Sequence, residues 1–333
     1  MAAYWEKQMR ALVTGSNGFI GAFLVEKLLK EGHSVRCLVR RTSNLQWLRH
    51  LTIEMCYGDL RTPSTLAAAV RSIDVIFHLG GVTYGRTEQD FIAGNFTATT
   101  NLLAACKSAG HSQQKFVFVS SQAAGGPSLG EPLTEEEAHH PISMYGRSKR
   151  LAEEAVLDWA DSHPATIIRP ASVYGPRDKD FYKLFKMAQR GVLPMVGDGK
   201  QKISIIYIAD LIDGIYRAGT RHEANGEIFF MSSDEAVTFS EITRKISQAV
   251  GVRTRSIHIP FFLVQLIVAA SEMISHVTKK PAIISRDKFA EMKQPAWLCS
   301  NAKAQRVLDF RPLTGLEEGM QKTAVWYKEN GWL

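Results

Sequence analysis

"MRALVTGSNGFIGAFLVEKLLKEGHSVRCLVRR", residues 9–41, runs from an apolar stretch into a cluster of glycines, then into helical periodicity, then into a second apolar stretch. That order of patterns is a β-α-β unit. Gly32 falls just past the last helical residue, where a left-handed cap is wanted. Gly15, Gly18 and Gly21 recur at three-residue intervals where the strand turns into the helix. Glycines so placed permit a tight turn, a close approach of backbone to a pyrophosphate, and tight packing of helix on strand. The helix amino terminus adds free N–H donors and partial positive charge, which suit phosphates. The stretch Gly15 to Gly21, with Asn17, Phe19 and Ile20 between the glycines, is therefore read as a dinucleotide-binding loop.

The second strand of the unit ends "CLVRRTSN", residues 37–44. A cofactor with a free ribose 2′-OH calls for an acidic residue about twenty residues past the glycines, whereas a 2′-phosphate calls for arginine. Val39 stands at the acidic position, 18 residues after Gly21, and Arg40 follows it. An arginine fork can grip a phosphate by two charge-assisted bonds, with Arg41 and Ser43 close by to assist. NADP(H) is the expected cofactor. NAD(H) stays open, because a solvated arginine pair at a strand end gives the same pattern.

Further strands are expected at 53–57, 74–79, 115–120 and 165–169, each followed by a helical pattern. Strands and helices in alternation build a parallel sheet covered on both faces. Thr62 and Pro63 look like the cap and first position of a helix running to about residue 70. A loop of roughly twenty residues separates Ser121 from the helix near 144, long enough that a functional role is the better reading. Within it "TEEE", residues 134–137, has the capping-box pattern and suggests a helical piece. Past about 170 the alternation weakens into "GPRDKDFYKLFKMAQRG" and "VGDGKQ". The division expected is 1–170 for the dinucleotide and 171–333 mainly for substrate, with some elements of the second part returning to the sheet.

A chain of 333 residues can bury a full core. Its net charge of +7 is spread without a long basic block, which favours phosphorylated ligands over nucleic acid. Cys37, Cys56, Cys106 and Cys299 lack metal-ligand spacing and read as reduced thiols of a cytoplasmic protein; no metal is expected. "MAAYWEKQMR" at the start carries Glu6, Lys7 and Arg10 and does not read as a signal peptide. The longest apolar run, "PFFLVQLIVAA" at 260–270, is short of the roughly 20 residues that span a bilayer. It reads as a buried or interfacial helix: core, a pocket lining, or a segment resting on a membrane surface.

Strand "KFVFVSS", residues 115–121, delivers Ser120 and Ser121 to the carboxyl edge of the sheet, where ligands bind in open α/β folds. In "SMYGRSK", residues 143–149, Tyr145 and Lys149 are one helical turn apart and share a face. With "TGSNGFIG" at 14–21, "GDL" at 58–60, "HLGG" at 78–81, "NFTATTNLLAAC" at 95–106, "VSSQAAGGP" at 119–127, "RPASVYGP" at 169–176 and "GDGKQKISIIYIADL" at 197–211, most of the chain resembles the extended short-chain dehydrogenase/reductase family. Within that family it is similar to members like dihydroflavonol reductase and 3β-hydroxysteroid dehydrogenase. The resemblance implies a Rossmann-type doubly wound parallel sheet with a smaller C-terminal substrate-binding domain.

It also implies Tyr145 as general acid/base and Lys149 as the residue that holds the nicotinamide ribose and depresses the phenol pKa. The family places a serine or threonine five residues ahead of a glycine; counted back from Gly126 this is Ser121, and a slip of one residue would put Ser120 there. By the same resemblance Asp59 and Leu60 border the adenine, His78, Leu79 and Gly80 line the cofactor, and Pro170 and Val173 lie by the nicotinamide. His78 reads better as a satisfied structural histidine. Tyr84, Gln122 and Phe181 are guesses at substrate contacts.

The activity implied is hydride exchange between nicotinamide and a carbinol or carbonyl carbon, with Tyr145 exchanging the proton. Nucleotide-sugar enzymes of the family carry an arginine for the pyrophosphate where this chain has Ile203, although Lys202 or Arg177 could replace it. "QAA" after Ser121 also lacks the acidic pair of the dehydratases. A ketone/alcohol oxidoreductase for apolar or polycyclic compounds is expected; a nucleotide-sugar epimerase/dehydratase and a non-catalytic NADP-binding redox sensor are the alternatives. A homodimer through helices near 90–109 and 144–161 is expected by resemblance alone.

Overall fold

The structure, a computed structural model, describes residues 8–111, 113–278 and 285–333. Glu6 and Lys7 of the leading segment lie outside the described residues. Seven strands form one parallel sheet: β1 (Arg10–Thr14), β2 (Ser34–Val39), β3 (Glu54–Tyr57), β4 (Val75–His78), β5 (Lys115–Val119), β6 (Ala165–Pro170) and, from far along the chain, β10 (Glu227–Met231). Their order is β10-β6-β5-β4-β1-β2-β3. The four strands expected after the first unit appear within a residue or two of their predicted bounds. Alternate residues of each strand feed opposite faces: Ala11, Val13, Phe77, Val117 and Ile168 enter one apolar cluster, and Leu12, Ile76, Phe116, Phe118 and Ile167 the other. That is the doubly wound Rossmann-type sheet, buried on both sides.

Helix α1 (Phe19–Lys30) follows β1, and Gly32 takes φ +81° just beyond it. The expected helix at 62–70 is broken into a 3₁₀ turn at Pro63–Thr65 and a single α turn, α2 (Ala67–Val70). Thr62 makes no side-chain cap; the Thr65 hydroxyl donates to the Thr62 carbonyl instead, which tightens the turn. At 134–137 the reciprocal half of the capping box forms, with Thr134 N–H donating to Glu137 Oε1 at 3.0 Å, but the chain makes only a turn. The helix of that loop is the short 3₁₀ turn Gln122–Ala124.

Helices α3 (Glu88–Phe91) and α4 (Ala98–Ala109) flank a π-helical turn at Ile92–Thr97, and α5 (Met144–Ala160) packs beside them. Beyond the sheet come β7 (Ser172–Tyr174), α6 (Lys179–Gln189), β8 (Val192–Val196), β9 (Lys202–Tyr207) and α7 (Ile208–Thr220). They are followed by β11 (Ala236–Thr238), α8 (Phe239–Val250), β12 (Arg255–Ile259), α9 (Phe261–Thr278), α10 (Arg286–Met292), β13 (Ala296–Trp297), α11 (Ala302–Leu308) and α12 (Leu316–Glu329). β9 pairs with β7, β11 and β13, and β12 pairs with β8. The apolar run 260–270 forms the first half of α9, and it is not core. Only Val264 and Val268 of its large residues are buried.

Candidate active site

Chain direction puts β1 and β4 side by side in the sheet, although β2 and β3 come between them in sequence and lie on the far side of β1. The carboxyl ends of β1 and β4 therefore open a crevice at the switch point, where ligands of open α/β sheets bind. Gly15 takes φ +69° there. A Cβ on Gly15 would lie 2.8 Å from the Gly80 nitrogen, and one on Gly21 would lie 2.2 Å from the Gly15 oxygen. Gly18 N–H donates to Gly15 O at 2.9 Å. α1 has no side-chain cap and no acidic residue in its first turn. A bare, electropositive helix end behind a loop that only glycine can build fits a dinucleotide pyrophosphate.

Gly80 N–H donates to Thr14 Oγ1 at 3.0 Å, the Thr14 hydroxyl lies 2.7 Å from His78 Nδ1, and His78 Nε2 lies 3.0 Å from Thr99 Oγ1. The Thr99 hydroxyl donates to the Asn95 carbonyl at 2.6 Å, so toward His78 it can only accept. His78 therefore carries its proton on Nε2, and Nδ1 accepts from Thr14. Burial, then the nearby Lys149 charge, pushes its pKa down to about 3. One ring nitrogen ties His78 to β1 through Thr14 and the other ties it to α4 through Thr99.

Ser121 ends the loop after β5 and accepts from Ala123 N–H at 3.2 Å. α5 begins at Ser143, whose hydroxyl accepts from Gly146 N–H at 3.1 Å. A Cβ on Gly146 would come within 2.4 Å of the Ala123 oxygen, so a glycine here is what lets the helix start close against Ser121. Tyr145 is half-buried against Phe91, with the Ser121 hydroxyl near enough to act on its phenol. Lys149 is buried, donates to the Val119 carbonyl at 2.8 Å and lies 4.5 Å from the Phe118 ring centroid.

Burial pushes the Tyr145 phenol up to about 12, against the lowering by Ser121 and with a further rise from Glu291. Loss of hydration around a phenolate sets the direction of this shift, and the Lys149 ammonium is engaged with Val119. Burial likewise lowers Lys149 to about 8, with Glu153 opposing. Lys149 thus holds its proton up to pH about 8 and loses it above. Affinity for the dinucleotide is expected to be flat below that pH and to weaken above it, as read by fluorescence titration; in Lys149→Arg the decline should vanish.

Asp59 sits beyond β3 with its carboxyl held below the usual range by hydrogen bonds from Arg61, and by a smaller pull from Arg40. Arg40 follows β2 and Asp59 follows β3, two strands paired in parallel. Arg40 is exposed, its main chain locked into a turn by Ser43. Leu60 touches the Gly80 position, and Pro170 and Val173 flank the end of β6. Ser120 is buried with its hydroxyl unpartnered among the described residues, and it is Ser121 that acts on Tyr145. The guessed substrate contacts divide: Gln122 is buried with its Nε2 unpartnered among the described residues, Tyr84 donates to Asp180 at 2.8 Å, and Phe181 packs on Tyr174. Arg177, a suggested diphosphate ligand, is committed elsewhere. It pairs with Glu26 at 2.9 Å and lies between the Phe23 and Trp47 rings, at 4.3 and 4.5 Å from their centroids. Ile203 packs into the core and Lys202 is exposed on β9.

Two supports escape the sequence reading. Buried Asn95 takes Val82 N–H at 2.8 Å and donates to Val82 O and to Ser148 Oγ, tying the loop after β4 to α5 beside Lys149. Glu153, one turn past Lys149, holds Arg169 of β6 in a fully buried bidentate pair at 2.9 and 2.7 Å. An arginine inside the apolar strand "ATIIRP" is the sequence signal that points to such a partner.

Residues 11–231 match the model of the NAD dependent epimerase/dehydratase family. A ceramide reductase of Caulobacter vibrioides is 30% identical over 323 residues, covering 96% of this chain and 95% of that one. A 3 beta-hydroxysteroid dehydrogenase/Delta 5→4-isomerase of Mycobacterium tuberculosis is 30% identical over 337 residues, covering 96% and 90%. The solved UDP-glucose 4-epimerase of Thermotoga maritima, with UDP-glucose, superposes with a TM-score of 0.81 at 21% identity over 97% of this chain and 99% of that one, a likeness of fold.

Proposed function

Because the chain belongs to the NAD-dependent epimerase/dehydratase family, as an NAD(P)-dependent enzyme of the extended short-chain dehydrogenase/reductase type, we propose that it interconverts a ketone and a secondary alcohol on an apolar small molecule with NADP(H). The observation that carries this is the meeting of Ser121, which follows β5, with Tyr145 at the start of α5, where the serine hydroxyl acts on the phenol and Lys149 lies one turn behind it. In the proposal Ser121 holds the substrate oxygen, Tyr145 exchanges a proton with it, and Lys149 holds the nicotinamide ribose. The bound dinucleotide supplies or takes up the hydride. Gly15, Asn17, Gly18, Phe19, Ile20 and Gly21 hold the pyrophosphate, Asp59, Leu60, Leu79 and Gly80 the adenosine side, and Pro170 and Val173 the nicotinamide.

The substrate class rests on two committed positions. Arg177 is engaged by Glu26 and two aromatic rings and Ile203 is packed, which leaves exposed Lys202 as the one cation of these three positions open to a diphosphate. The named substrates of the two relatives, a ceramide and a steroid, are of the apolar kind proposed here. Gln122, with an unpartnered amide, is the proposed polar contact, and Tyr84 and Phe181 the apolar ones. Residues 1–170 serve mainly the dinucleotide and 171–333 mainly the substrate, in a cytoplasmic homodimer. Among the described residues no helix is long and apolar enough to cross a membrane.

NADPH oxidation is expected with a panel of apolar ketones; epimerisation of nucleotide sugars without net oxidation would reject the reading. The choice of cofactor is carried by Arg40. Loss of one charge-assisted phosphate contact costs about 1.5–3 kcal/mol, so Arg40→Ala should weaken NADPH binding roughly ten- to hundredfold and leave NADH binding unchanged. Equal losses for both would remove the 2′-phosphate from the account.

A further inference from the structure

α9 shows solvent the face that a surface helix ordinarily hides. Phe262, Leu266, Met273 and Val277 are 63%, 64%, 71% and 80% exposed, and Leu263, Ile267 and Ile274 flank them. At 100° per residue these positions, with Ala269 and Ala270, make one unbroken apolar arc about 160° wide. The protein side of the helix takes Val264 and Val268, and its one acidic residue, Glu272, pairs with Arg286 at 2.8 Å. Of the fifteen large apolar side chains exposed among the described residues, nine lie in 257–277. Scattered exposed apolar residues need no explanation; a contiguous patch marks an interaction surface.

Two observations choose the occupant. Residues 253–293 contain seven basic and three acidic side chains, a net of +4 within a chain of +7, and Arg253, Arg255, Arg286, Lys288 and Lys293 are exposed. A helix of 18 residues is about 27 Å long, and a face about 10 Å wide offers roughly 300 Å². A stable dimer needs about 800 Å² per partner. An apolar helix face with a basic surround fits an anionic bilayer surface better than a second copy.

α9 also adjoins the proposed site. α10 packs on it through the Phe261 and Phe289 rings, and α10 supplies Asp287, which accepts from Met144 N–H beside Tyr145, and Glu291, whose charge reaches that phenol. We propose that α9 seats the protein in the plane of an anionic membrane surface, so that an apolar ketone reaches the site from the lipid phase past α9 and α10. The route of the substrate rests on the reductase reading; the docking does not, because binding to vesicles is read without turnover.

The test is co-sedimentation of the full chain with phosphatidylcholine vesicles containing about a third phosphatidylglycerol, against phosphatidylcholine alone. The anionic vesicles should bind the protein, binding should weaken with salt, and Leu266→Glu/Met273→Glu should lower it by tenfold or more while the thermal unfolding midpoint stays near that of the parent. Absence of binding, equal binding to neutral vesicles, or equal binding by the double variant would overturn the proposal. So would a dimer in free solution that the double variant turns into a monomer, which would assign the face to a second copy. Failure of ketone turnover with vesicle binding intact would reject the reductase reading and leave the docking standing.

Discussion

Tyr145→Phe is expected to lower kcat by about 10² to 10⁴ while NADPH affinity stays within about twofold of the parent. The ring keeps its place against Phe91, and only the hydroxyl shared with Ser121 is lost. Of the other ionisable side chains beside it, His78 is spent on Thr14 and Thr99, and Lys149 donates to Val119. The sign of the tyrosine shift adds a second reading. Because burial raises the pKa to about 12, the phenol stays protonated near neutral pH, which favours turnover toward the alcohol. Turnover toward the ketone needs the phenolate and should rise with pH until Lys149 loses its proton. A variant that keeps half the parental rate would remove Tyr145 from the chemistry.

Arg169→Met should destabilise the fold by about 3 kcal/mol, because it strips the buried Glu153 carboxylate of its bidentate partner and leaves only the longer contact from Arg150 at 3.5 Å. Both side chains of the pair are fully buried. Arg169 also donates to His139 Nε2 at 2.7 Å and lies 5.3 Å from the Phe230 ring centroid. Since a guanidinium only donates, that histidine nitrogen is unprotonated, in keeping with a pKa lowered to about 4 by burial and then by Arg169. Denaturant unfolding measures the loss. Glu153→Leu/Arg169→Met removes both charges and should recover most of it, whereas a double variant as unstable as the single one would show that packing rather than charge sets the cost. Glu153 also raises the Lys149 pKa, so the double variant should shift the alkaline decline in cofactor affinity to lower pH.

The dinucleotide half was legible because its signals are local. Glycines at 15 and 21 report close approaches that no other residue permits, and β-branched runs at fixed spacing report strands buried on both faces. The pairing of Tyr145 with Lys149 follows from helical period alone. What the sequence hid depends on neighbours distant in the chain. Arg177 looked free in "GPRD" because Glu26 and Trp47, which engage it, lie more than 100 positions away. The helix expected at 62–70 broke because Thr65 competes for the Thr62 carbonyl. The apolar run at 260–270 carries no periodicity that separates a buried face from an exposed one. Its exposure emerged only from the structure, in which Val264 and Val268 are buried while Phe262, Leu266, Met273 and Val277 are exposed.

The most direct test uses NADPH carrying deuterium at C4 of the nicotinamide, supplied with an apolar ketone, with the product read by mass spectrometry. The account predicts an alcohol with one deuterium on the carbinol carbon, formed from one stereochemical position of the cofactor and absent with Tyr145→Phe. Label that stays with the dinucleotide while a nucleotide sugar epimerises would contradict it.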